Sequence, residues 1–145
     1  MVRREDVEPE TWAVVGGRPD GAPGTPLNTP LVTASSFILG TDRIYSRNEA
    51  TETWEAFEAL VGGLEGGEAV AFASGMAACA AVLDDLRAGA HLVLGEDCYQ
   101  GVAGLAAAGA EHRGWHVERL PVADPAWVQR AAEADLLWVE SPSNP

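Results

Sequence analysis

Three short apolar runs, at residues 70–73, 91–94 and 136–139, and a fourth strand-like stretch at 115–120, in which Trp115, Val117 and Arg119 alternate with His116 and Glu118, are separated by stretches long enough to be helices. This succession of strands and helices limits the fold more than any other feature. Runs that are apolar almost throughout belong to strands covered on both faces, and a helix between successive strands makes their sheet parallel. The expected fold class is therefore α/β, a mainly parallel sheet with helices on both faces. A helix is predicted over about 51–61, with Thr51 as its cap, Trp54, Phe57, Val61 and Leu64 at helical spacing, and Gly62-Gly63 as its stop. A second follows from Gly75 to about residue 87, a third covers about 102–108, and Asp124-Pro125 opens a fourth. Residues 1–30, rich in Pro, Gly, Asp and Glu, read as an arm or leader without regular structure, and 31–39 as an extended segment.

In parallel sheets, ligands bind where the strands end. The segments leaving the predicted strands are Ser74-Gly75-Met76, Glu96-Asp97-Cys98-Tyr99 and Glu140-Ser141-Pro142-Ser143-Asn144, so the polar and aromatic residues of interest fall along one rim. At Ser74-Gly75 the pattern turns from strand to helix, and the first turn of a helix presents unpaired N–H groups and a positive dipole end to an anion, phosphate above all. Gly75 carries no Cβ to hold a ligand off, and Ser74 adds a hydroxyl. A plain strand-to-helix turn has the same signature, so the functional reading needs the surrounding residues. Upstream, Arg43-Ile44-Tyr45-Ser46-Arg47 in extended conformation would point Tyr45 and Arg47 to one side, a phenol and a guanidinium suited to an oxyanion. A surface tyrosine near a solvated arginine fits that stretch as well.

Charge narrows the partners. Against 22 acidic residues stand 9 basic ones, and the net charge of −13 argues against nucleic acid or an anionic membrane. No apolar run reaches the length of a membrane span, and the N-terminus lacks a secretory pattern, so a cytoplasmic location is expected. Cys79 and Cys98 lack metal-ligand spacing, read as reduced thiols, and no metal site is expected.

Tyr45-Ser46-Arg47, Leu64-Glu65-Gly66-Gly67, Ala71-Phe72-Ala73-Ser74-Gly75-Met76-Ala77-Ala78, Asp97-Cys98-Tyr99 and Trp138-Val139-Glu140-Ser141-Pro142-Ser143-Asn144-Pro145 follow one another at a spacing that resembles the Cys/Met metabolism enzymes dependent on pyridoxal phosphate. These include cystathionine γ-synthase, cystathionine γ- and β-lyases, methionine γ-lyase and the O-acylhomoserine sulfhydrylases. The resemblance covers about residues 26–145 and implies part of the large domain of a fold-type I transferase: an N-terminal arm and inter-subunit segment over 1–50, then an incomplete cofactor-binding domain over 51–145. It implies pyridoxal 5'-phosphate as cofactor, a small sulfur amino acid as substrate, and β/γ-elimination or γ-replacement as chemistry, with cystathionine γ-synthase or γ-lyase preferred. Ser74, Gly75 and Met76 resemble the phosphate cup, and Tyr99 the tyrosine that stacks on the pyridine ring and moves protons. Tyr45 and Arg47 resemble the pair that reaches a neighbouring subunit's phosphate, which implies a shared-site dimer, often paired into a tetramer. Asn144 resembles the asparagine near the cofactor's phenolic oxygen, and Glu140 the acid supporting that loop. Glu140 and Asn144 could equally organise a turn around Pro142 and Pro145.

Three departures stand out. Asn48-Glu49-Ala50-Thr51 replaces the family's Asn-Pro-Thr, and Tyr99-Gln100-Gly101-Val102 replaces Tyr-Gly-Gly-Thr. In the family a lysine holds the cofactor as a Schiff base, yet all nine basic residues here are arginine. Arginine stays protonated and is a poor nucleophile. The sequence is thus expected to be the front portion of a larger enzyme, a truncated product or half of a split protein, completed by a complementary C-terminal chain and inactive by itself. Two readings from other classes stay open: a non-catalytic, regulatory subunit bound to a full-length homologue, and an unrelated nucleotide-binding α/β domain, which the lack of a GxGxxG turn disfavours.

Overall fold

The computed structural model describes residues 2–143, and after a single 3-10 turn at Arg4–Asp6 its α-helices and strands, in chain order, are α1 (Pro9–Val15), α2 (Ser46–Glu49), α3 (Glu52–Glu65), α4 (Gly75–Asp84), β1 (His91–Gly95), α5 (Gln100–Arg113), β2 (His116–Leu120), α6 (Trp127–Ala131) and β3 (Leu136–Trp138). The chain divides into two compact units, residues 1–71 and 72–145.

The first unit is built on α1 and α3. Residues 9–15 form a helix where the sequence was expected to give an unstructured arm: Pro9 starts it, where a missing N–H costs nothing, and Trp12 is buried. The Trp12 indole donates to Leu60 O at 2.9 Å, and Arg4 Nε donates to Gly63 O at 2.9 Å. α3 also departs from expectation, because Gly62-Gly63 does not stop it. The helix runs on to Glu65 and ends at Gly66 in the left-handed conformation. Gly63 is a point of close approach instead: a Cβ there would lie 2.3 Å from Trp12 Nε1. Residues 31–39 make a single antiparallel bridge, Ser36 to Tyr45, and no strand.

Residues 70–73 were expected to be the first strand, and they form none. A strand needs a paired neighbour, and among the described residues nothing pairs with this segment; the Ala71 N–H is taken by the Glu58 carboxylate at 2.7 Å.

The second unit holds a three-stranded parallel sheet in the order β2-β1-β3. β1 is the centre, with Leu92 opposite Val117 on one side and Leu136 on the other. Leu92 and Leu94 face the core formed with Leu83, Ala106 and Trp115, while Val93 points the opposite way and is equally buried. Both faces of β1 are therefore covered, as its apolar sequence requires. α5 is longer than predicted, starting at Gln100 and ending at Gly114 in the left-handed conformation. α6 begins two residues after Pro125, because the Asp124 carboxylate first caps a turn through the Ala126 N–H at 2.7 Å.

At the amino end of the sheet the Asp135 carboxylate accepts from the His91 N–H at 2.8 Å and from Arg87 Nη2 at 2.9 Å. The backbone hydrogen bond first, and then Arg87, hold the Asp135 carboxyl below its ordinary range. A depressed folded-state value means that the stabilisation is present above the unfolded value and is lost as pH falls through the folded one. Asp135→Asn should therefore flatten the acid limb of a stability-versus-pH curve below about pH 4 while leaving its neutral plateau shape unchanged, as urea titrations would read.

The α5 glycines give a test of packing with two signs. A Cβ on Gly109 would lie 1.9 Å from the Trp115 ring, whereas one on Gly104 meets nothing within 4 Å. Gly109→Ala is expected to destabilise the second unit by roughly 1–3 kcal/mol. Gly104→Ala should stabilise it by about 0.5–1 kcal/mol in the same denaturation experiment.

Candidate functional site

The site is assembled at the carboxyl end of the second unit's sheet. Ser74, extended at φ −159° and ψ 157°, is the N-cap of α4, and its hydroxyl accepts from the Ala77 N–H at 3.1 Å. The Ala78 N–H reaches Ser74 O at 3.2 Å, which leaves the amides of Gly75 and Met76 without partners among the described residues. Gly75 is open: nothing lies within 4 Å of where its Cβ would be. An anion could approach these two amides directly.

Tyr99 follows β1 and caps α5, with its carbonyl accepting from the Val102 and Ala103 N–H groups at 2.9 and 3.2 Å. Its ring is half exposed. A Cβ on Gly101 would fall 2.7 Å from Met76 Sδ and 2.8 Å from Tyr99 Cε1. The Met76 thioether and the Tyr99 ring thus both crowd the bare backbone of Gly101, on which a Cβ would touch each of them. The start of α4 and Tyr99, apart in sequence, are neighbours in the fold. Gly101, which keeps the second glycine of the Tyr-Gly-Gly-Thr pattern while Gln100 and Val102 depart from it, is the point where a larger residue would drive them apart.

Glu140 follows β3 and joins the same rim. Its two carboxylate oxygens accept from the Tyr99 N–H at 3.0 and 3.1 Å, and Oε1 also accepts from the Trp138 indole at 3.0 Å. Asn144 lies outside the described residues.

Tyr45 and Arg47 belong to the first unit and are not both in extended backbone. Tyr45 is extended at φ −143° and ψ 120°, but Ser46 begins α2, so Arg47 sits in a helical turn and the expected side-by-side alignment of a strand does not apply. The Glu49 carboxylate takes the N–H groups of Tyr45 and Ile44 at 2.6 and 3.2 Å, which starts that turn. Ala50 after it holds φ 57° and ψ −164°, a region that glycine alone occupies without strain. The strain falls within Asn48-Glu49-Ala50-Thr51, the stretch that departs from the Asn-Pro-Thr of the pattern the sequence resembles. Arg47 is exposed and has no partner among the described residues.

Cys98 is the residue that sequence reasoning left without a role at this rim. It is buried, and desolvation first, then the neighbouring charges of Glu140 and Asp97, push its thiol up, against the opposing pull of Arg119. Both cysteines are unpaired. No group of three or more His, Cys, Asp or Glu side chains among the described residues could hold a metal, and none of their helices is long and apolar enough to cross a membrane.

The sequence profile of the Cys/Met metabolism PLP-dependent enzymes matches residues 10–145. The chain belongs to this family. It is 39% identical over 145 residues to a putative cystathionine γ-lyase of Streptomyces coelicolor, an alignment covering 93% of this chain and 36% of the relative. With the cystathionine γ-synthase of Mycobacterium tuberculosis it shares 35% identity over 150 residues, covering 94% and 38%. Among solved structures, the cystathionine γ-lyase CalE6 of Micromonospora echinospora superposes with a TM-score of 0.82 at 31% identity, covering 96% of this chain and 38% of that one. The chain thus spans a little over a third of the length of these relatives. Its fold is a fragment of the large domain of such enzymes, and the family's cofactor is pyridoxal phosphate.

The residues present fit that group on its phosphate side. Two unpaired amides at the start of a ten-residue helix, an unobstructed glycine and a serine hydroxyl match a phosphate, and an aromatic ring stands beside them. The burial of Cys98 gives a measurement of its own. Below about pH 9, alkylation of Cys98 by iodoacetamide should lag behind that of the more exposed Cys79, and mass spectrometry of the two peptides would read the ratio.

Proposed function

We propose that this chain forms the phosphate-cup and ring-stacking side of a pyridoxal phosphate enzyme of sulfur amino-acid metabolism, one that carries out β/γ-elimination or γ-replacement in the manner of cystathionine γ-lyase or γ-synthase. The observation that carries this reading is the pairing of open amides at Gly75 and Met76 with the Tyr99 ring across Gly101, inside a span that matches the family. Ser74, Gly75 and Met76 would hold the phosphate and Tyr99 would flank the pyridine ring, while the role of Asn144 toward the phenolic oxygen rests on the family resemblance alone. Bound there, the cofactor supplies an electron sink for a carbanion at the substrate's α-carbon. The Tyr99 hydroxyl moves a proton near that carbon, and the ring keeps water from one face of the cofactor. Tyr45 and Arg47, exposed on the first unit, serve the phosphate of a second copy in a shared-site dimer.

The chain has no lysine, so the covalent hold on the cofactor has to come from another polypeptide segment. That absence also supports a second reading, a non-catalytic subunit that completes or regulates a full-length homologue. Mixing this chain and pyridoxal phosphate with a lysine-bearing C-terminal segment of a relative separates the two. The catalytic reading expects visible absorbance of a lysine-bound cofactor and release of a keto acid from cystathionine. A well-folded mixture with neither would defeat it. The regulatory reading expects the chain to alter a full-length homologue's rate, with the effect abolished by Arg47→Ala.

A further inference from the structure

The first turn of α5 has the same need as that of α4, and its own sequence cannot meet it. In a capped helix the N–H of the N-cap residue is often taken by a Glu or Gln three residues on. For α5 the N-cap is Tyr99 and the third helical residue is Val102, which has no acceptor and is buried. The N-cap side chain makes no capping bond either. Glu140, 41 residues away, supplies the missing acceptor: both its oxygens lie on the Tyr99 N–H, and the Trp138 indole ties one of them back toward β3. Its negative charge also stands at the positive end of a 14-residue helix.

We propose that Glu140 is a positioning residue for Tyr99: a latch that caps α5 from the loop after β3 and so holds the Tyr99 ring against Met76. The half-exposed ring is not fixed by burial, so its place depends on its backbone and on the contact over Gly101. Fixing the amide fixes the point from which the side chain departs. A second consequence concerns the anion. Of the two helix starts at this rim, α5 is already occupied by a carboxylate and α4 is open, so a phosphate is directed to Gly75 and Met76. This second consequence, unlike the first, rests on the proposed function.

Amide exchange and NMR of the full chain test the latch without cofactor, so its outcome is independent of whether the functional reading holds. In Glu140→Ala the Tyr99 amide should exchange at least about tenfold faster, with Val93 and Leu94 unchanged, and the cross-peaks between the Tyr99 ring and the Met76 methyl should weaken. Glu140→Gln keeps one acceptor oxygen and should restore most of the Tyr99 protection, which a loss of general packing would not allow. If Glu140→Ala does not fold, Glu140→Gln decides: it keeps one acceptor oxygen but loses the second and the negative charge, so the Tyr99 amide, and to a smaller degree the Trp138 indole, should exchange measurably faster than in the wild type. Wild-type exchange at both positions, or an intact Tyr99–Met76 contact in Glu140→Ala, would overturn the proposal.

Discussion

The second unit depends on the burial of one short strand from both sides. Leu92, Val93 and Leu94 of β1 are fully buried, and every residue of the strand is paired with β2, while its middle three are also paired with β3. Such a strand has no solvent-facing side on which a polar residue could be tolerated, so the chemistry is forced to its end. The loop 96–99 leaves that end, and β3 delivers Glu140 to the same level. The site is thus a by-product of how the sheet is covered: burial fixes the strands, and the strands fix where their polar exits meet.

The same logic explains which parts of the fold could be read from the residues. The strands at 91–95 and 136–138 were legible because each carries an apolar run bounded by turn residues, that at 116–120 because Trp115, Val117 and Arg119 alternate with His116 and Glu118, and each finds its neighbour within the unit. Residues 70–73 carry an equally apolar run, yet pairing is a property of two segments, and a run alone does not reveal whether its partner lies among the residues at hand. α1 was hidden for the opposite reason. The prolines and glycines of residues 16–30 dominate the composition of the leader, but Pro9, Trp12 and Val15, spaced three apart, with Gly16 after them, carry a helical signal that composition obscures. Gly62-Gly63 misled because glycine has two uses. Here the missing Cβ makes room for Trp12, and no left-handed turn is involved.

At the rim, Ser74, Gly75, Met76, Tyr99 and Glu140 were all visible as residue types at strand exits. The contacts among them were not. That Met76 and Tyr99 come together depends on Gly101, which reads in sequence only as one glycine kept between the departures at Gln100 and Val102. That Glu140 binds the Tyr99 amide follows from the spacing of β1 and β3, which no local motif encodes. The failed alignment of Tyr45 and Arg47 is of the same kind: Glu49 recruits the backbone at Ile44 and Tyr45 into a helical turn, and a side-chain acceptor four residues on overrides the extended tendency of Arg43-Ile44-Tyr45.

The two helix starts at the rim show how one physical need can be answered in two ways. α4 begins with Ser74 and Gly75, a cap that satisfies the Ala77 amide and leaves those of Gly75 and Met76 without partners among the described residues. α5 begins with Tyr99, whose side chain caps nothing, and its amide is closed by a carboxylate from another loop. On the proposed function, a ligand with one strong negative charge and one aromatic ring suits this asymmetry, because the Glu140 carboxylate disfavours a second anion at the start of α5 and Tyr99 stands beside the open start of α4. Were both starts open, a phosphate would find two competing positions and the ring two orientations. Closing one of them converts a generic property of helices into a directed site, and the residue that closes it need not touch the ligand at all.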